Sequence, residues 1–179
     1  MSSRFERTST ETVYEGKTLR VRVDEYRHED GGEVKREIVE REGSVGMVAH
    51  DGERVYLVRQ PREAVGSPDL LEIPAGRLDK EGEPALDAAK RELVEEIGKA
   101  AEEWEEVATY YSSVGFSDEE VVIYLATGLT DASPDEDPGE NERIEIVTHP
   151  LAELDALIAE VRDAKTLIGL LELSRRLAA

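Results

Sequence analysis

The sequence predicts an α+β or α/β-sandwich fold, and three observations carry that prediction. Short β-rich runs recur along the chain, one amphipathic helix interrupts them near the middle, and leucine and isoleucine at helical spacing close the C-terminus. Residues 13–41 alternate as strands around "EDGG" at 29–32, where glycine accepts positive φ in a hairpin turn. "SVGMVAH" and "RVYLVRQ" flank a second hairpin signal, "DGE". "DLLEIPAG" predicts a short strand ending in a turn, and the helix follows over 84–97. "WEEVATYYSSV" and "EEVVIYLATGL" predict two strands around "GFSD". "TDASPDEDPGENER" combines proline, glycine and acids as an exposed loop before a last strand, "IEIVTHP". The remaining residues predict two helices broken near Arg162 and Asp163.

A chain of 179 residues is long enough for one domain with a proper core and a small extra lobe. Its 42 acidic residues against 22 basic give a formal charge of -20. That balance argues against a nucleic-acid partner, whose phosphates require cationic surface. No run is apolar over the roughly 18 residues needed to cross a bilayer, and the N-terminus lacks a signal-peptide pattern. The absence of cysteine excludes disulfides and thiolate metal sites. A cytoplasmic protein with no membrane partner is the expectation.

The helix "PALDAAKRELVEEIGK" carries the chemistry. Pro84 suits its first turn and Gly98 its left-handed cap. Leu86, Ala89, Leu93 and Ile97 form one apolar stripe. With Glu92 at zero on the helical wheel, Glu95 lies near roughly -60° and Glu96 near roughly +40°. Three carboxylates therefore share an arc of about 100° beside the buried stripe. Arg91, four residues before Glu95, is placed to orient that side chain. On spacing alone the arc is either a solvated acidic face or a site for a hard divalent cation, which prefers oxygen ligands.

At these residues the chain resembles the Nudix hydrolase family, whose box reads G-x5-E-x7-R-E-U-x-E-E-x-G-U, with U aliphatic. Gly76, Glu83, Arg91, Glu92, Leu93, Glu95, Glu96 and Gly98 supply it. Six residues rather than five separate Gly76 from Glu83, and Lys99 stands at the closing aliphatic position. The resemblance is nearest to ADP-ribose pyrophosphatases, through "VYEGKTLRVRVDEY", "KREIVEREGSVGMV", "YLVRQPREAVG", "LLEIPAGRLD", "GFSDE" and "RDAKTLIGLL". It implies an α/β/α sandwich with a mixed central sheet over residues 41–179. An antiparallel N-terminal strand lobe over 1–40 would be exchanged in a homodimer.

The same resemblance implies hydrolysis of the diphosphate in a nucleoside diphosphate-sugar, with ADP-ribose giving AMP and ribose 5-phosphate. Glu92, Glu95, Glu96 and the Ala75 carbonyl would hold Mg²⁺ (Mn²⁺ as substitute). Glu83 would support the site and Arg91 would fix the glutamates. Glu140, or Glu142, would position or deprotonate the water. Arg36 and Glu37 match positions near the adenine, and Arg62 one near the phosphates or terminal ribose. Val114 in "SSVGF" stands where the ADP-ribose group commonly has proline, which leaves GDP-mannose or another nucleotide-sugar open. A non-catalytic ADP-ribose-binding regulatory module is the alternative of another class, and it would be expected to lack the box glutamates that are present here.

Overall fold

The computed structural model describes residues 4–134 and 143–178. They form two compact units, one of residues up to Gly43 with Tyr111–Glu120, the other of Ser44–Tyr110 with the described residues from Val121 on.

The first unit is an antiparallel sheet of β1 (Phe5–Glu15), β2 (Arg20–His28) and β3 (Glu33–Glu40), in that order. Gly31, at φ 84°, makes the β2–β3 turn that "EDGG" predicts, and the His28 N–H donates to the Gly32 carbonyl at 2.8 Å. β1 begins well before residue 13. Its sequence is polar and every residue is exposed, so it carries no inside-outside alternation to betray it. Pairing with β2 and a buried carboxylate hold it instead. Asp24 of β2 is fully buried and accepts from Thr10 Oγ1 at 2.6 Å and Tyr26 OH at 2.9 Å. Burial pushes the Asp24 carboxyl up, but those hydrogen bonds and the charges of Arg22 and Arg7 outweigh it and leave it below the usual range. The segment 111–120 joins this sheet through its backbone. The Val39 N–H donates to the Phe116 carbonyl at 2.7 Å, and Val39 and Ser117 form a parallel bridge.

The second unit contains β4 (Ser44–His50), β5 (Arg54–Arg62), β6 (Ser67–Glu72), β7 (Ala75–Arg77), α1 (Ala85–Ile97), β8 (Lys99–Tyr111), β9 (Glu120–Asp131), β10 (Glu145–Pro150), α2 (Leu154–Glu160) and α3 (Ala164–Leu177), apart from the end residues Tyr111 and Glu120, which fall in the first. The sheet runs β10-β5-β4-β9-β8, with β6 on β5 and β7 on β4. β4 and β9 are parallel, while β4–β5, β4–β7, β5–β6 and β5–β10 are antiparallel. This is the mixed sheet of an α+β sandwich.

β4 shows why helices cover both faces. Its apolar run Val45–Ala49 is buried throughout, as expected for a strand without a wet face. Val45, Met47 and Ala49 pack in the cluster with Ala88, Ala89, Leu93 and Ile97 of α1. Val48 packs in the other, with Leu157 of α2 and Leu170 and Leu173 of α3. Gly169 permits the close approach, since a Cβ there would lie 2.6 Å from Val48 Cγ2.

Two local readings differ from the sequence. "DLLEIPAG" yields two strands, β6 and β7, because Pro74 has no N–H to continue the ladder; its carbonyl accepts from the Met47 N–H at 2.8 Å. Pro84 caps α1 in an extended conformation (ψ 144°) rather than occupying its first turn. Gly98 takes the left-handed cap as expected, at φ 63°.

Candidate functional site

α1 presents its acidic arc toward β7, and two backbone features set the side chains. The Ala75 N–H donates to Glu96 Oε2 at 2.9 Å. Gly76 leaves the space that Glu92 uses, because a Cβ at Gly76 would fall inside the Glu92 carboxylate. The first glycine of the box is thus a steric requirement of its first helical glutamate.

Arg91 is the hub. Its Nε and Nη2 donate to the two oxygens of Glu83 at 3.2 and 3.0 Å, a bidentate pair. Its Nη1 donates to Glu92 Oε1 at 2.7 Å and Glu95 Oε2 at 2.9 Å. Hydrogen bonding to Arg91, ahead of the cost of burial, holds the Glu83 carboxyl below the usual range. The same pairings, Glu83 first, hold Arg91 more firmly protonated than an ordinary arginine.

Glu92 behaves oppositely. Burial pushes its carboxyl up, Arg91 pulls it down, and Glu95 and Asp79 add repulsion, so the net shift is upward. Among the described residues no three acidic or histidine side chains converge on one point, since Glu92 and Glu95 each turn an oxygen to Arg91. A hard divalent cation fits this donor set chemically: carboxylates on one helical face, beside a strand whose backbone can offer oxygen.

The other expected residues divide between the units. Arg62, at the end of β5, donates through Nε and Nη2 to Glu72 at 2.5 and 2.9 Å. Its Nη1 is not part of that pairing. Glu72, Glu96 and Asp163 all favour its charged form, Glu72 most strongly. Arg36 on β3 donates to the Lys35 carbonyl at 2.9 Å and lines a concavity of about 300 Å³ within the first unit, together with Phe5, Tyr26, His28, Ile38 and Phe116. Glu37, its neighbour in the strand, is exposed and does not line it. Glu140 and Glu142 lie outside the described residues. Lys99 lies 5.5 Å from the centre of the Tyr56 ring and pairs with Asp131 at 2.5 Å, which accounts for a cation at the closing aliphatic position.

Sequence reasoning passed over a buried network beside these residues. The Glu72 side chain is 1% exposed and is shared by Arg62 and Lys165 Nζ. Lys165 also pairs with Asp163 at 3.0 Å. Asp163 caps α3, accepting from the Thr166 N–H at 3.0 Å and hydroxyl at 2.6 Å, and Thr166 Oγ1 accepts from the Ile73 N–H at 2.8 Å. A glutamate inside the apolar strand "LLEIPAG" and the cap pattern "DAKT" were the available signals.

Fold and site together define a Nudix protein. Residues 40–169 match the family described as NUDIX domain, and the chain belongs to it. Over 150 residues, 83% of this chain and 72% of the other, it is 41% identical to a protein named ADP-ribose pyrophosphatase from Mycobacterium tuberculosis. Over 163 residues, 89% of this chain and 87% of the other, it is 34% identical to one named methanol dehydrogenase activator from Bacillus methanolicus. A solved structure titled ADP compounds hydrolase superposes with a TM-score of 0.86 at 22% identity, covering 98% of this chain and 95% of that one, which is a likeness of fold.

Burial pushes the Glu72 carboxyl up, but Arg62 and Lys165 outweigh it and hold it below its ordinary 4.5. A depressed folded pKa contributes stability that is complete above the unfolded pKa and is lost as pH falls through the folded value. Glu72→Gln is therefore expected to cost about 3 kcal/mol at neutral pH. That is the low end for opening a buried pair, because Arg62 is partly exposed and Lys165 keeps Asp163. Urea denaturation of both proteins from about pH 7 to about pH 3 checks the sign: the difference should shrink with acidification.

Proposed function

We propose that this chain hydrolyses the diphosphate bond of a nucleoside diphosphate-sugar, with ADP-ribose as the substrate and AMP and ribose 5-phosphate as products. The observation that carries the reading is the box constellation itself, with Arg91 orienting Glu83, Glu92 and Glu95 and the Ala75 N–H orienting Glu96. The name borne by the 41%-identical mycobacterial relative supports the choice of substrate.

In this reading Glu92, Glu95, Glu96 and the Ala75 carbonyl hold Mg²⁺. When bound, the ion neutralises phosphate oxygens and acidifies water. Arg91 keeps the glutamates in register, and Arg62, with one guanidinium nitrogen outside its Glu72 pair, meets phosphate charge. The base that steers the water is assigned to Glu140, or else to Glu142. Water's oxygen bonds to phosphorus as the bridging P–O bond breaks, and the bridging oxygen leaves with the other phosphate. The concavity holding Arg36 offers a guanidinium and aromatic rings, a lining that suits a flat base.

A cytoplasmic homodimer sharing its N-terminal strands belongs to the same proposal. Phe5, Val13 and Tyr14 of β1 are each more than half exposed in the single chain, which supports a covering partner.

Incubation with ADP-ribose, GDP-mannose, NADH and diadenosine polyphosphates, with and without Mg²⁺, tests the substrate. Metal-dependent AMP release, greatest from ADP-ribose, is expected; metal-independent turnover or an inert panel refutes the reading. Glu96→Gln should fold normally and fall below about one hundredth of wild-type kcat, beyond the 10- to 100-fold typical of a supporting residue. Gly76→Ala should displace the Glu92 side chain from Cγ outward and so require roughly 10-fold more Mg²⁺ for half-maximal rate. Light scattering should give twice the chain mass, and deletion of residues 1–40 should leave monomers.

A further inference from the structure

The strand segment entering the site is tied at four successive residues. The Glu72 carboxylate is held by Arg62 and Lys165. The Ile73 N–H donates to Thr166 Oγ1, the Pro74 carbonyl accepts from Met47, and the Ala75 N–H donates to Glu96. Two of these ties come from the first turn of α3, 93 residues further along the chain.

The chemistry of that turn fixes its direction. Thr166 is fully buried and its hydroxyl proton is committed to Asp163 Oδ2 at 2.6 Å, which leaves an oxygen lone pair for the Ile73 N–H. A cap that served only its own helix would end at the Asp163 bond to the Thr166 N–H. Here the same carboxylate also orients the hydroxyl and pairs with Lys165, so one acid organises both contacts to the strand.

We propose that Asp163, Lys165 and Thr166 are positioning residues that set divalent-cation affinity by fixing the backbone of Ile73 to Ala75. The proposal rests on the reading above, in which the Ala75 carbonyl and Glu96 face the ion. Displacing Ile73 shifts the Ala75 carbonyl, and the Ala75 N–H carries Glu96 with it. Small displacements of a positioned group are costly, and loss of a supporting hydrogen bond at a metal site typically weakens affinity 10- to 100-fold.

The test is Mn²⁺ binding to the full-length, substrate-free protein, followed by electron paramagnetic resonance, with melting temperature and kinetics alongside. Thr166→Val should weaken Mn²⁺ binding about 10- to 100-fold. It should also lower kcat at limiting Mg²⁺, recover kcat at high Mg²⁺, and leave the substrate KM at saturating metal near wild type. Thr166→Ser, which keeps the hydroxyl, should restore the affinity. Wild-type affinity in Thr166→Val, whatever its melting temperature, overturns the proposal. Should Thr166→Val fail to fold, Lys165→Met keeps the aliphatic stem and loses the charge. Weakened Mn²⁺ binding in that variant supports the proposal, and unchanged binding overturns it. If the wild type binds no Mn²⁺, both this proposal and the metal reading fall. If wild type and variant bind equally, only the positioning role falls.

Discussion

Three carboxylates crowded onto one helical turn would repel one another without the guanidinium of Arg91, and the rest of the site depends on that compensation. Arg91 grips Glu83 from the loop before α1 with two of its nitrogens and meets Glu92 and Glu95 with the third. The planar fork makes this possible, since a lysine ammonium could match the charge but not the bidentate geometry. Arg91 does not outweigh burial at Glu92, whose carboxyl remains shifted upward.

The sheet turns this local chemistry into a fixed site. β4 is buried on both faces, so α1 and the α2–α3 pair pack against opposite sides of one strand. Glu96 from α1 and Thr166 from the first turn of α3 thereby both reach the short segment from Glu72 to Ala75. That segment is a poor strand by itself, interrupted by Pro74, and it needs its outside contacts to hold a path.

What the sequence revealed followed the range of each interaction. α1 was legible because its signals are local: an apolar stripe of period 3.6, Gly98 at the cap, and carboxylates whose common face follows from spacing. The hairpins at Gly31 and Gly52 were legible for the same reason, each glycine taking positive φ. β1 was only partly legible, because a polar strand leaves no alternating pattern and its buried tie, Thr10 to Asp24, spans 14 residues. The network of Glu72 and Thr166 left still less trace, since its partners meet across 93 residues and no period links them. Arg62 stood out in the sequence as a cation, whereas the carboxylate that orients it sat unremarked in an apolar strand.

Segment 111–120 holds its course through main-chain groups: Val39 with Phe116 and Asp118, and the Arg41 N–H with the Asp118 side chain. The side chains of Val114 and Phe116, 83% and 56% exposed, take no part in that lacing. Residues at this tip can therefore be exchanged one at a time while the peptide path beneath them stays as it is. A departure such as Val114 then reads as an adjustable dial on a fixed mount.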